Sequence, residues 1–191
     1  MQLLLDNIAS VLVASTVLLV VVATSLNAQR SAVEASVAYA AKKQTLTTAD
    51  FLEADLLLIG NGTGGTIDTT IVNETGQTTE FSFWRQDDTG AAMLVSYTLT
   101  PSTSKVIDGQ TVQLYQLNRS ENGVAAGSGS STLSDFTITM LGPDGSLAAS
   151  TADTRLLRVR AVNVYPYGDP DNMNMFRSYW GITVRPPNLE T

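Results

Sequence analysis

The sequence predicts an α+β protein: one long N-terminal α-helix, apolar in its first half and amphipathic in its second, packed on a mostly antiparallel β-sheet domain. Three observations predict it. No charged residue occurs from Asn7 to Gln29. No Gly occurs before Gly60 and no Pro before Pro101, so nothing breaks a helix over that stretch. Beyond Gly60 the chain turns to Thr- and Ser-rich alternating segments separated by turn residues.

The first element is the apolar run. An uncharged stretch of about 20 residues is long enough to cross a bilayer as a helix. A cleaved secretory signal fits it poorly. Its leading residues, Met1-Gln2-Leu3-Leu4-Leu5-Asp6, are acidic rather than basic, and Leu26 spoils the small-x-small pattern before Ala28. The nearest cations are Arg30, Lys42 and Lys43, all C-terminal to the run. The positive-inside rule taken literally would put the following domain in the cytoplasm. A short basic leader ahead of Met1, removed on maturation, would resolve that orientation.

The second element continues the helix. Val33, Val37, Ala41, Thr45, Thr48, Leu52, Leu56 and Ile59 recur at spacings of 4, 4, 4, 3, 4, 4 and 3, which is one face of an α-helix. Glu34, Lys43, Asp50 and Glu53 fall off that face. Val33, Val37, Leu52, Leu56 and Ile59 are therefore expected to pack helix against sheet. Gly60-Asn61-Gly62 supplies the C-cap. The whole helix would measure roughly 80–90 Å at 1.5 Å per residue.

The strands come next. Thr66 to Val72, Phe81 to Trp84, Met93 to Leu99, Phe136 to Met140, Leu156 to Val162 and Ser178 to Val184 read as β. Asp108-Gly109 between Val106-Ile107 and Val112 is a two-residue hairpin signal. Gly142-Pro143-Asp144-Gly145 is a turn with Pro and Gly well placed. The Gly-, Ser- and Ala-rich stretch Gly123 to Ser131 predicts a mobile loop. The layout is thus 1–29, an apolar helix; 30–59, its amphipathic continuation; and 60–191, a β-rich domain.

Composition excludes several function classes. The 191 residues include 11 basic and 18 acidic side chains, a net charge of −7, with no His and no Cys. That removes disulfides, thiolate chemistry, cysteine or histidine metal sites and histidine-based triads. The acidity argues against nucleic acid and against anionic lipid surfaces as partners. No Gly-rich phosphate loop or nucleophile elbow is present, so neither an enzyme nor a cofactor is expected. At 15% charged and 43% hydrophobic, the chain is low in charge for a soluble domain.

Weaker signals remain. Asp169, Asp171, Asn172 and Asn174 crowd oxygen ligands of the kind Ca²⁺ prefers, though such clusters are also ordinary turn formers. Asn61, Asn73 and Asn118 each open a glycosylation sequon, a pattern frequent by chance in a Thr- and Ser-rich chain; surface hydroxyls could equally carry O-glycans. Tyr165, Tyr167, Phe176, Tyr179 and Trp180 are read first as core packing and second as a subunit interface.

An apolar, breaker-free N-terminal run, an early acid (Asp6) and an amphipathic continuation into a β domain together resemble the type IV pilin and pseudopilin family. Phe51-Leu52-Glu53-Ala54-Asp55-Leu56 before a Gly, and the terminal Val184-Arg185-Pro186-Pro187-Asn188-Leu189, are similar to its minor-pilin and pseudopilin branch. Met1 stands where that family has an aromatic residue, and Asp6 where it has Glu. The resemblance implies a subunit of an extracellular type IV pilus-like filament. It would be held in the bilayer before assembly, processed by a leader peptidase, handled by inner-membrane assembly machinery and polymerised with copies of itself. Assembly would run through Met1, Asp6, Ile8, Val11, Leu12, Val17, Leu18, Leu19 and Val22. The alternative is a minor pseudopilin of a secretion or pilus system, or a membrane-tethered β-rich binding domain. Asp6 has two readings: pairing with a neighbouring subunit's N-terminal amine, or complementing the helix dipole from the first turn. Ala9, Ser10, Ala14, Ser15, Thr16, Ala23, Thr24 and Ser25 would let helices approach closely, or are ordinary membrane-helix composition.

Overall fold

The computed structural model describes residues 2–63, 67–107, 109–169 and 172–189. Helix α1 runs through Gln2–Leu57. The chain divides into two compact units, Met1–Tyr39 and Ala40–Thr191. In the first unit, every described side chain from Asp6 to Ser36 is exposed.

The second unit holds the end of α1 and eight antiparallel strands. These are β1 (Ile67–Val72), β2 (Thr78–Gln86), β3 (Ala92–Ile107), β4 (Gln110–Glu121), β5 (Val124–Ser128), β6 (Leu133–Leu141), β7 (Leu156–Asp169) and β8 (Asn172–Val184). The order is β1-β2-β3-β4-β6-β7-β8, with β5 attached to β4. Two meanders are joined by a single rung, Tyr115 opposite Leu133. A second seam binds them: the Ile138 N–H donates to Thr78 Oγ1 at 2.9 Å, and the Gln77 side chain donates to the Ser134 carbonyl at 2.8 Å. Strand β6, open on that side, so finds partners on β2 and the turn before it.

The core forms where the inward face of α1 meets this sheet. Leu52, Leu56 and Ile59 are fully buried among Phe81, Phe83, Val95, Tyr97, Phe136, Leu157 and Val159. Burial of each such side chain contributes on the order of 1.5–3 kcal/mol. The predicted face is buried from Ala41 onward, with Thr45 and Thr48 included. Val37 is half-buried. Val33 is the departure, at 55% exposed. It stands two turns ahead of Ala41, roughly 12 Å at 1.5 Å per residue, and belongs to the first unit.

Helix α1 stops at Leu57, three residues before Gly60, whose φ is +73°. The Gly60 N–H donates to the Trp84 carbonyl at 2.8 Å. The chain's last segment returns here. Asn188 Nδ2 donates to the Ile59 carbonyl at 3.3 Å, and Leu189 is buried in the core. The terminal Pro-Pro-Asn-Leu run thus satisfies a carbonyl in the turn that follows the helix.

Three expectations about the strands are corrected. Strand β3 does not end at Leu99 but passes through Pro101 to Ile107. Past Thr98 it is hydrogen-bonded in the sheet to β4 alone, and its register shifts between Pro101 and Thr103. A proline is tolerated where no ladder bond is asked of its nitrogen and a bulge absorbs the misfit. The stretch Gly123 to Ser131 is not simply a loop, since it contains β5, paired with β4. Asn122 (φ +48°) and Gly123 (φ +80°) form a turn with positive φ at both positions, the kind that closes two-residue hairpins. Tyr179 is not core: it is 68% exposed on β8, while Trp180 next to it packs on the core. The Asp108-Gly109 hairpin joins β3 to β4, Gly109 having φ +73°, with Asp108 outside the described residues.

Candidate functional site

Two features of the described residues have functional geometry: the bare surface of the first unit and the charged clamp in the second.

The assembly residues all lie on α1. Ile8, Val11, Leu12, Val17, Leu18, Leu19 and Val22 are 49–72% exposed. The helix is long and apolar enough, by length and composition, to cross a membrane. Its hydroxyls do not spoil that surface. Ser10 donates to the Asp6 carbonyl at 2.8 Å, Thr16 to Leu12 at 2.9 Å and Thr24 to Val20 at 2.8 Å; Ser15 donates to Val11. Each takes a carbonyl one turn back, so these four hydroxyls are satisfied within the helix and need no water. Asp6 is exposed, and among the described residues nothing meets its carboxylate. The first turn of α1 contains no acid, and Asp6 lies just past it. Met1 lies outside the described residues.

The clamp was not foreseen from the sequence. Asp55 accepts from Tyr97 Oη at 2.5 Å and from Arg119 at 2.6 Å (Nε) and 3.3 Å (Nη2). Arg85 Nη1 lies 3.6 Å from it. Glu121 bridges the same two arginines, at 2.6 Å from Arg119 and 3.4 Å from Arg85. The Phe51 ring covers Arg119 at 5.4 Å and meets Tyr97 edge-on at 5.7 Å. Two acids and two bases balance under this lid. Burial, reinforced by the charge of Asp55, pushes the Tyr97 hydroxyl far above its usual range, so it serves as a donor. Burial opposes the charge of Arg119, but hydrogen bonds to Asp55 and Glu121 outweigh it and hold the guanidinium above its usual range. Arg85 Nε has no partner, the one buried side-chain nitrogen left unmatched among the described residues. A legible signal existed: Asp55 sits three residues after Leu52 and four before Ile59, on the apolar face, where an acid is rarely buried unpaired.

Farther up the helix, Asn163 donates to Thr45 Oγ1 and Tyr165 to Gln44 Oε1, each at 3.1 Å. Gly129 lets the return from β5 pass close by; a Cβ there would stand 3.2 Å from Thr48. These contacts fix the sheet against the helix.

The remaining candidates are placed as follows. Asp171 and the side chains of Asp169 and Asn172 lie outside the described residues; Asn174 pairs with Tyr167 near the β7–β8 turn. Among the described residues, no three acids converge into a metal site. Asn61 is exposed in the turn after α1. The Asn73 amide is engaged within its own turn, donating to Gln77 and accepting from Thr75 and Gln77. Asn118 lies inside the sheet between β3 and β5 and donates to Thr100 at 2.8 Å.

The fold and surface define a class: an α+β domain continuous with a helix that is long and apolar enough to span a bilayer. Comparison with known protein families, with curated proteins and with solved structures gives no match.

Proposed function

We infer that the chain is the structural subunit of an extracellular type IV pilus-like filament. On this reading it waits in the lipid bilayer through its N-terminal helix and polymerises when those helices bundle. The single observation that carries the reading is the uncharged, exposed surface from Asn7 to Gln29, four of whose five hydroxyls are bonded within the helix. Such a surface needs lipid or other apolar helices around it. The same surface serves both states, so a subunit can leave the bilayer for a filament without a new apolar cost. The amphipathic half of α1, committed to the sheet through Leu52, Leu56 and Ile59, supports a role for the β-rich unit as the part displayed outward. Asp6 is the residue assigned to pairing with a neighbour's N-terminal amine, which would set register more than stability.

The test is electron microscopy of material sheared from the cell surface, with N-terminal mass spectrometry of its main protein. Thin filaments built of this chain are the expected result. A protein that stays in the membrane fraction as a monomer would overturn the filament reading in favour of a tethered binding domain or a minor pseudopilin.

A further inference from the structure

The surface charge of the β-rich unit is divided by strand. β1, β2 and the turns after them carry Asp68, Glu74, Glu80, Asp87 and Asp88, and the cation among them, Arg85, is directed inward to Asp55. β7, β8 and the residue leading into them carry Arg155, Arg158, Arg160 and Arg177, with Asp169 at the far end of β7 as the acid among them. β1 and β8 are the two ends of the strand order, each paired on one side only.

The basic end has a shaped feature. Gly181 leaves a shallow notch on the outer face between Arg158 and Arg160, with Ile182 and Thr183 beside it. A Cβ at Gly181 would meet only the Val159 carbonyl, at 3.4 Å. Arg160 is 65% exposed and touches Asp135 at 2.7 Å, while Arg158 has no acidic partner among the described residues. Tyr179, exposed, stands on the same strand. The acidic end has a knob. The turn from Asn73 to Gln77 is held rigid: Asn73 Oδ1 accepts from the N–H groups of Thr75 at 3.1 Å and Gln77 at 2.9 Å, and Gly76 has φ +83°. Glu74 is exposed at its tip, and Ile71 and Val72, about half exposed, flank it.

We propose that these two ends are one contact between copies of this chain: Glu74 of one copy seats between Arg158 and Arg160 of the next, with Ile71 and Val72 against Tyr179. Opposite charge, a rigid protrusion facing a notch, and apolar area on both sides are complementary in the way that steers and registers association. The two patches are different surfaces of one chain, so the contact is heterologous and propagates instead of closing into a pair. It rests on the filament reading, because a small charged contact becomes populated only when the helices hold copies at high local density.

The experiment uses the full chain in its own membrane. The sequence has no Cys, so Ile71→Cys combined with Thr183→Cys, opposite Arg158 in the ladder, keeps Glu74 in place and can be joined by a short bifunctional maleimide. The expected result is a ladder of dimers, trimers and higher species, with each single-cysteine variant stopping at dimer. In a second arm, with the same two cysteines, Glu74→Arg or Arg158→Glu lowers ladder yield about tenfold and the two together restore it. Gly181→Val, which fills the notch and keeps the charges, also lowers it. No species beyond dimer, or charge reversals without effect, would overturn the contact. Filaments seen by microscopy without a ladder would sink the contact and leave the filament reading standing. A ladder without filaments would do the reverse.

Discussion

Replacing Asp55 with Asn removes the acid on which helix and sheet converge while keeping its shape. In the native protein that carboxylate meets Tyr97 at 2.5 Å, Arg119 at 2.6 and 3.3 Å and Arg85 at 3.6 Å. The Arg119 side chain is only 7% exposed and that of Arg85 16%, so neither cation is returned to water by the substitution. Breaking a buried pair from one side costs about 3–5 kcal/mol. Two features place this case at the lower end. Glu121 stays at 2.6 Å from Arg119 and 3.4 Å from Arg85, and the Asn oxygen still accepts one hydrogen bond. A loss of about 3 kcal/mol is expected, which for a chain of this size lowers the unfolding midpoint by about 6–12 °C. Thermal unfolding of the full chain in micelles, followed by near-ultraviolet circular dichroism, reads it. Adding Arg119→Gln leaves Arg85 with Glu121 as a neutral pair, so the double variant should lose less than the two single losses added together. The clamp argument would be refuted by an Asp55→Asn variant within about 0.5 kcal/mol of the parent, the usual range for an unremarkable surface change, or by strictly additive single losses.

Three more outcomes follow from the same structure. Leu56→Ala should cost about 3–4 kcal/mol through the cavity left in the core, whereas Leu57→Ala, at a position 42% exposed, should cost under about 1 kcal/mol; denaturant unfolding of the two variants separates them. Leu19→Lys alters a residue that is 72% exposed; the melt of the β-rich unit should not move, but membrane insertion should weaken by about 3 kcal/mol, measured as partitioning into vesicles. Asp87 is held below the ordinary carboxylate range by hydrogen bonds from the Thr89 hydroxyl and the Ala91 N–H. Its folded pKa is depressed, so its contribution is present above the unfolded value and is lost as pH falls through the folded one. A side-chain carboxyl titration followed by nuclear magnetic resonance should place its midpoint below that of an unstructured Asp, and a midpoint at or above that value would contradict the turn geometry.

The helix was legible because its causes are local. The absence of Gly and Pro before Gly60, and the 3–4 spacing that carries Leu52, Leu56 and Ile59, act over a few residues and can be read in order. Asn122-Gly123 was equally local, but the Gly- and Ser-rich run after it obscured the hairpin, and β5 was missed. Pro101 misled for the opposite reason. Its cost depends on whether a neighbouring strand asks for its N–H, which only the sheet order answers. The exposure of Tyr179 has the same cause: alternation shows that residues 179 and 180 face opposite ways, not which way is inward.

The sequence by itself determined the α+β layout, the uncharged helix and the lack of His and Cys, because each follows from composition or from neighbours along the chain. Tertiary structure decided the rest. Asp55 finds its partners 30 to 64 residues away, at Arg85, Tyr97 and Arg119. Asn188 reaches back to the Ile59 carbonyl, and the strand order puts acidic and basic residues at separate ends of the sheet. Such pairings are set by which distant segments pack together to bury the core, and no local period encodes them.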